Sequence, residues 1–204
     1  MAGGNGFRPV FDASQSYTGG VVPFRIAKNY DTDIFYGDFV RRVNGGYIEV
    51  NDSVADQNLD DQLGVFMGCS YNDSSGTPTW SQYYPASQNV DGIVAYIAGT
   101  DPQTLYKARW TNAAGTADND ASTIAKVGLN IDIAYRAGST VTGNSGAGAD
   151  AATAAGVGTA NFRVVDVVNE PAAASEYQNS STTYTHAIVM IQPGLHAYSN
   201  GAGI

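Results

Sequence analysis

Apolar runs of strand length, separated by polar clusters, lie between Leu63 and Trp110 and set the pattern for the whole chain. In this stretch, apolar runs of strand length are separated by clusters of Gly, Asp, Asn and Pro, as in antiparallel strands joined by turns. In the last run, Tyr106, Ala108 and Trp110 alternate with two basic residues. A period of two is typical of a strand with one buried face. The stretch therefore predicts a series of antiparallel strands.

Runs of the same kind lie on both sides of this stretch. Upstream, IFYGDFVRRV and YIEV are joined by Asn-Gly-Gly, whose residues accept the positive φ of a hairpin turn. Downstream, apolar and polar residues alternate between positions 127 and 134, and the runs NFRVVDVV and THAIVMIQPGLHAY follow. No apolar stripe of helical period extends beyond about two turns. The pattern predicts about nine or ten strands and a helix content below roughly 15%.

These patterns predict an all-β protein. At 204 residues the chain is most simply one β-body, either a single β-barrel or a jelly-roll-like sandwich. We expect this body over residues 31–204, preceded by an extended N-terminal arm and interrupted by a long Gly/Ala-rich loop.

Residues 1–30 differ from the body because their two apolar pieces, FRPVF and VVPFRI, each contain a proline. Proline lacks the N–H that a central strand donates. We therefore expect an arm that is mobile in the free protein and becomes ordered by strand addition to a partner; a frayed terminus is the alternative. The side chains predicted to contact the partner are Phe7, Val10, Phe11, Tyr17, Val21, Val22 and Phe24.

Residues 138–160 form a segment of low complexity, GSTVTGNSGAGADAATAAGVGTA, that has almost no bulky side chains. Such a composition predicts a flexible loop. The alternative is a long surface excursion that a partner orders.

Charge excludes one class of partner. Nineteen acidic residues against ten basic residues give a net charge of −9 and a pI near 4.4, whereas a nucleic-acid-binding surface needs a basic patch. Charged residues make up 14% of the chain, against about 25% in ordinary soluble domains. This composition suits a body held against neighbours, and equally a secreted β-protein. The N-terminus lacks the pattern of a signal peptide, and no apolar run approaches the ~20 residues of a membrane span.

Candidate catalytic and metal-binding residues are few. The chain has no G-x-S-x-G, H-E-x-x-H, C-x-x-C or phosphate-loop motif, so we expect no catalytic residues, no cofactor and no metal. His186 and His196 are interpreted as structural. Cys69 is expected to be buried and inert, because it lies in an apolar run without a neighbouring base. The acidic segment 51–62 is interpreted as a solvated loop rather than a calcium site.

Three aromatic residues suggest a binding surface. Trp80, Tyr83 and Tyr84 lie close together in TWSQYY and could form a platform on which sugars stack. The alternative is that these rings belong to the core or to an interface.

The order of several motifs resembles a known family. GVFMGCSYNDSSGTPTWSQYYPA followed by IVAYIAGTDPQTLYKARW is similar to a pattern in small proteins encoded near the major capsid protein of tailed phages, podoviruses in particular. IFYGDFVRRV, GSTVTGNSG and FRVVDVVNEP also fit, so the resemblance covers most of residues 20–200. The Gly/Ala segment at 146–160 departs from the pattern.

The resembled proteins are virion structural proteins, described as capsid cement or decoration proteins. The resemblance implies a β-barrel or jelly-roll-like body on the capsid exterior, with arms that reach the major capsid protein and neighbouring copies. Such a protein would be assembled in the host cytoplasm. The missing motifs, the acidic charge and the lack of a long apolar run predict that it is neither an enzyme nor a partner of nucleic acid or membranes. The arm and the low fraction of charged residues predict homo-oligomers with closed symmetry, and we expect trimers in preference to dimers. The alternative is a receptor- or glycan-binding β-module of a phage head fibre or bacterial surface, and a hydrolase of unknown mechanism is a third hypothesis.

Overall fold

Strand-length apolar runs form fourteen β-strands in the described residues of the computed structural model, which are 6–12, 15–51, 61–111, 124–153, 160–168 and 186–199. This part of the chain contains three short 3-10 turns (Asn44–Gly46, Ile124–Lys126 and Ala151–Thr153) and no α-helix, which confirms the all-β class. It also contains no helix long and apolar enough to cross a membrane. The strands are β1 Phe7–Asp12, β2 Gln15–Ser16, β3 Val21–Ile26, β4 Phe39–Val43, β5 Tyr47–Val50, β6 Gln62–Asn72, β7 Pro78–Ser81, β8 Val94–Ala98, β9 Leu105–Thr111, β10 Asn130–Ile131, β11 Ile133–Ala134, β12 Gly148–Asp150, β13 Phe162–Val168 and β14 His186–Ile191.

A closed five-stranded barrel forms from β4, β5, β3, β8 and β6, because β6 pairs again with β4. Its neighbouring strands are antiparallel, except that β3 and β5 are parallel. β7 pairs with β6 beside the barrel. The barrel interior is mainly aliphatic and holds Ile26, Ile34, Val40, Ile48, Val50, Leu63, Phe66, Cys69, Tyr84, Ile93, Ala95 and Ile97.

The remaining strands form a second sheet with the order β10-β13-β14-β9-β1-β2. β1 and β12 share one edge of β9: β1 pairs with Leu105–Ala108, and β12 runs parallel to β9 at Trp110 and Thr111. β11 then pairs with β12. β1 and β12 together therefore complete this edge of β9.

The two sheets meet in a second core, here called the seam core. Phe39 on β4 points out of the barrel, whereas its neighbour Val40 points in, and both are fully or almost fully buried. The Phe39 ring lies edge-on to the ring of Phe162 at a centroid distance of 4.9 Å, and Phe7 stacks on Phe162 at 5.2 Å. The alternation of strand faces therefore lets one barrel strand serve both cores.

The expectation that residues 7–12 and 21–26 need a partner to become ordered is wrong, because β1 pairs with β9 and β3 with β8. Proline did not prevent this. Pro9 lies next to an irregularity in the register of β1, and Pro23 lies where β5 does not reach β3. Bulges and strand segments with one neighbour tolerate the missing N–H. Residues 1–5 and 13–14 lie outside the described residues.

The interpretation of residues 138–160 as a flexible loop is also wrong for part of the segment. Gly148–Asp150 forms β12, and all residues from Ser145 to Ala151 are buried. A Cβ atom on Gly148 would lie 2.6 Å from the carbonyl oxygen of Arg109. The small residues therefore allow close approach of two backbones. Residues 154–159 lie outside the described residues.

Candidate functional site

Three apolar side chains of the predicted arm are exposed and are here called the N-terminal surface. Phe11 exposes 44% of its area, and Val21 and Val22 expose 42% each. Phe11 lies on β1, and Val21 and Val22 lie on β3. Both of these strands border the turn between β8 and β9, because Val21 pairs with Ala98 and a Cβ atom on Gly99 would lie 3.2 Å from Cβ of Pro9.

One edge of β3 has no strand beside it over residues 21–24 in the described parts of the chain. β5 reaches only Arg25 and Ile26, whereas β8 pairs with the whole segment from Val21 to Arg25 on the other side. Backbone groups on an edge of this kind can pair with an added strand.

The β1–β2 hairpin is held by contacts to its neighbours. The hydroxyl of Thr104 donates to the carboxylate of Asp12 at 3.0 Å, and the backbone N–H of Tyr17 donates to the carbonyl of Val10 at 2.9 Å. The hydroxyl of Tyr17 donates to the carbonyl of Gly20. Burial, together with nearby Tyr36 and Asp12, raises the pKa of Tyr17, so its hydroxyl remains a donor.

The seven residues predicted for the arm therefore fall into three groups. Phe11, Val21 and Val22 are exposed, and Val10, Tyr17 and Phe24 are half-buried. Phe7 is fully buried in the seam core, so its predicted role as a contact to a partner is wrong. The reason is that its strand completes the second sheet.

The predicted aromatic surface is not formed by all three of its residues. Trp80 exposes 64% of its area. Tyr84 is fully buried in the barrel and donates a hydrogen bond to the carbonyl of Tyr30 at 3.0 Å. Tyr83 is half-buried and stacks on Phe35 at a centroid distance of 5.4 Å. Tyr84 thus fits the alternative of a core residue.

Trp80 lies instead in a row across the outer face of the barrel. It pairs with Ser70 of β6, and Ser70 pairs with Val94 of β8. The hydroxyls of Ser70 and Tyr96 are 3.0 Å apart. A Cβ atom on Gly68 would lie 3.0 Å from Cζ2 of Trp80, so this glycine lets the indole rest against the backbone of β6.

This row borders a groove, here called the Trp80 groove, with a volume of about 490 Å³. At its rim, the ammonium of Lys28 and the carboxylate of Asp91 lie 3.2 Å apart. The residues that line the groove are Ser70, Tyr71, Asn72, Pro78, Thr79, Trp80, Asp91, Gly92 and Val94.

Of this groove, the sequence pattern indicated only Trp80. The other lining residues are recognisable only once the register of β6, β7 and β8 is known. One local signal was present, since a glycine inside a strand such as Gly68 often marks the close approach of another group.

The titratable residues singled out in the sequence are held in uncharged forms near neutral pH. Burial raises the pKa of the Cys69 thiol to about 12. Burial and the nearby charges of Lys107, Arg109 and Arg8 lower the pKa of His186 to about 4. His196 is buried, which lowers its pKa, and its Nδ1 accepts a hydrogen bond from the N–H of Tyr198 at 3.1 Å.

Metal-binding residues do not cluster in the described residues, where no three His, Cys, Asp or Glu side chains are grouped to hold an ion. Of the acidic segment, Asp52, Asp56 and Asp60 lie outside the described residues.

Comparisons with family models, with curated proteins and with solved structures gave no match for this chain.

Proposed function

We propose that the chain is a virion structural protein, a capsid cement or decoration protein that binds the outside of a tailed-phage head and stabilises its coat lattice. The observation that supports this proposal best is the N-terminal surface, in which the exposed Val21 and Val22 lie on a strand edge that no strand of the described residues pairs with, and Phe11 of β1 is a third exposed apolar side chain. The resemblance in motif order between residues 20 and 200 supports the same function.

A strand of a coat subunit, or of a neighbouring copy, would fit this edge. Strand addition satisfies the backbone groups of β3 and covers the adjacent apolar side chains. Covering what remains exposed of Phe11, Val21 and Val22 contributes about 2–4 kcal/mol in total. A contact of this strength is modest for one copy, but contacts repeated over a shell act multivalently.

The negative charge of the chain is consistent with a position on the outside of the head. The net charge of −9 keeps the protein away from DNA, which is the main polyanion of a phage particle. In this proposal the partners are the major capsid protein and copies of the chain itself. Closed rotational symmetry is the usual arrangement of identical subunits, and we propose trimers in preference to dimers.

Binding to phage heads tests the proposal. Heads that lack the protein, from a phage in which the gene is deleted, are incubated with the purified chain and sedimented. The wild-type chain is expected to sediment with the heads and to raise the temperature at which they release DNA. The proposal fails if the wild-type chain stays in the supernatant.

A variant of the N-terminal surface tests the contact itself. Phe11→Ser, Val21→Thr and Val22→Thr in one chain are expected to lower the affinity for heads by about tenfold or more, since each 1.4 kcal/mol is worth a factor of ten. Val141→Thr is the matched control, because this valine is 94% exposed in a loop between β11 and β12. Equal binding of the triple variant and the control would exclude this surface as the contact.

A further inference from the structure

The Trp80 groove has features of a ligand site that the cement function does not require. We infer that it binds carbohydrate, with a neutral sugar ring stacked on the indole of Trp80. This inference is independent of the proposed cement function, since it concerns another class of ligand and a groove at the Val94 end of β8, whereas Val21 of the N-terminal surface pairs with Ala98 at the other end.

The indole of Trp80 is exposed and held in place. Its exposed fraction is 64%, although large aromatic side chains are usually buried. The strand pair β6–β7 fixes its backbone opposite Ser70, and the ring rests where a Cβ atom on Gly68 would lie 3.0 Å from Cζ2. An aromatic face is electron-rich, so it attracts the weakly positive C–H groups on one side of a sugar ring.

Polar groups surround this ring on the floor and rim of the groove. Asn72 and Thr79 line the groove together with Asp91, and the Ser70 hydroxyl lies 3.0 Å from that of Tyr96. Ligand sites combine an apolar surface with a few polar groups that fix orientation, and typically have volumes of about 300–1,000 Å³. The groove, at about 490 Å³, lies in this range. Hydroxyl, amide and carboxylate groups beside an aromatic face match the chemistry of a sugar, which combines an apolar ring face with a rim of hydroxyls.

Charge selects neutral sugars over acidic ones. Asp91 is the acidic residue of the groove, and its carboxylate is 3.2 Å from the ammonium of Lys28. The chain as a whole carries a net charge of −9. A carboxylate on the ligand would meet this field, whereas the hydroxyls of a neutral hexose can donate hydrogen bonds to Asp91.

The two tryptophans provide a direct assay. Trp110 is 1% exposed, so a ligand that changes the exposure of tryptophan to acrylamide reports on Trp80. The probes are maltotriose, cellotriose, mannotriose and chitotriose, each titrated to about 10 mM so that a site with a dissociation constant in the millimolar range is detected. At least one probe is expected to protect Trp80 in a saturable manner, and 6′-sialyllactose is expected to bind more weakly than the best neutral probe.

Variants assign the binding to the groove, with saturation-transfer NMR as the measurement because it does not depend on tryptophan. Trp80→Ala is expected to weaken binding of the best probe by about tenfold or more, and Trp80→Phe to retain part of the affinity. Tyr198→Ala is the matched control, since this aromatic residue is 53% exposed elsewhere on the molecule. Circular dichroism of each variant verifies the fold.

Three outcomes would overturn the inference. The first is that none of the four neutral trisaccharides protects Trp80 or gives saturation transfer. The second is that Trp80→Ala binds the best probe as well as Tyr198→Ala does. The third is that Trp80→Ala binds sugar normally but loses binding to heads, which would make the groove a contact to protein.

Discussion

The barrel and the second sheet bury their apolar side chains in different ways. The barrel is built from residues 21–98, a continuous part of the sequence, and its interior is mainly Ile, Val and Leu. The seam core collects side chains from distant segments, and it combines five large aromatic residues with several alanines. The aromatic residues are Phe7, Phe39, Tyr106, Trp110 and Phe162.

This difference determines where each region is vulnerable. A closed barrel pairs its strands around the ring, so the loss of one side chain leaves the backbone pairing intact. The second sheet depends on β1, which has six residues, and on β12, which has three; together they cover one edge of β9. Protein interiors are packed as densely as organic crystals. A change in the size of either the small or the large residues of the seam core is therefore expected to lower the stability.

The largest effect is expected from Phe7→Ala. Phe7 is fully buried and contacts the rings of Phe39 and Phe162, at centroid distances of 5.5 and 5.2 Å. Removal of a buried phenyl ring costs about 3–5 kcal/mol. Urea unfolding measured by circular dichroism is expected to show this loss.

The control for Phe7→Ala is Phe11→Ala, four residues away on the same strand. Phe11 is 44% exposed, so its truncation is expected to cost about 1 kcal/mol or less. If both variants lose the same free energy of unfolding, β1 does not complete the seam core. Deletion of residues 1–24 removes Phe7 as well, and should therefore destabilise the free protein.

A smaller effect is expected from Gly148→Ala in β12. The new methyl group would lie 2.6 Å from the carbonyl oxygen of Arg109 and 2.6 Å from Cγ2 of Thr111. Overpacking of this kind costs about 1–3 kcal/mol. Gly20→Ala is the matched control, because a Cβ atom there meets nothing within 4 Å. Equal stability of the two variants would indicate that β12 can move away from β9.

The comparison also explains how far the sequence predicted the fold. Apolar runs of strand length were predicted correctly as strands, among them β6, β8, β9 and β14. Fourteen strands occur in the described residues, more than expected. Segments of two or three residues such as β2 and β12 carry no detectable period, and the alternating stretch 127–134 forms two short strands, β10 and β11, instead of one. A period needs several residues to be visible.

Composition alone predicted the wrong structure at two places. Gly148 and its alanine neighbours have the composition of a flexible loop, but their small size serves close approach to β9. Pro9 and Pro23 suggested a free arm, but each lies where one missing donor costs little. Whether such a segment is a loop or arm, or a strand of the sheet, depends on partner strands that are far away in sequence, and no local pattern contains that information. The Trp80 groove was missed for the same reason.

The pH dependence of stability is expected to have a contribution from the second sheet. Burial, then Lys107, Arg109 and Arg8, lower the pKa of His186 on β14 to about 4, whereas an unfolded histidine titrates near 6.5. Between these values the unfolded state binds the proton more tightly, so stability falls as pH falls from about 6.5 towards 4.

Melting curves of wild type and His186→Gln at several pH values test whether this histidine lowers the stability as the pH falls. Between pH 6.5 and 5 the wild-type protein is expected to lose about 1 kcal/mol through this histidine, and the variant to lose correspondingly less. Asp132, whose pKa is raised mainly by burial, acts in the opposite direction, and it is present in both proteins, so the difference between wild type and variant reports on the histidine. His196→Gln is the comparison next to the barrel, since His196 bridges to Gln62 of β6 and its pKa is lowered mainly by burial. If stability depends on pH in His186→Gln as it does in the wild type, His186 is not the source of this pH dependence.

The smallest perturbation compares the two cores by thiol labelling. Cys69 is the chain's one cysteine; it is fully buried in the barrel, as the sequence predicted, and burial raises its pKa to about 12. Both properties suppress reaction with a disulfide reagent, since the reactive species is the exposed thiolate. In the native protein, Cys69 is therefore expected to react only when the barrel opens. In denaturant it is expected to react at the rate of an exposed cysteine.

The second reporter is Ala108→Cys in a Cys69→Ala background, because Ala108 is 1% exposed on β9 in the seam core. Local opening requires less free energy where fewer strand pairs must separate. The thiol on β9 lies beside Phe7 of β1, and among the described strands β9 alone pairs with β1 at that position, so the thiol should be labelled faster than Cys69 under native conditions. If Cys69 reacts as fast as the introduced thiol, the closed barrel offers no more protection than the open sheet, and the distinction between the two regions fails.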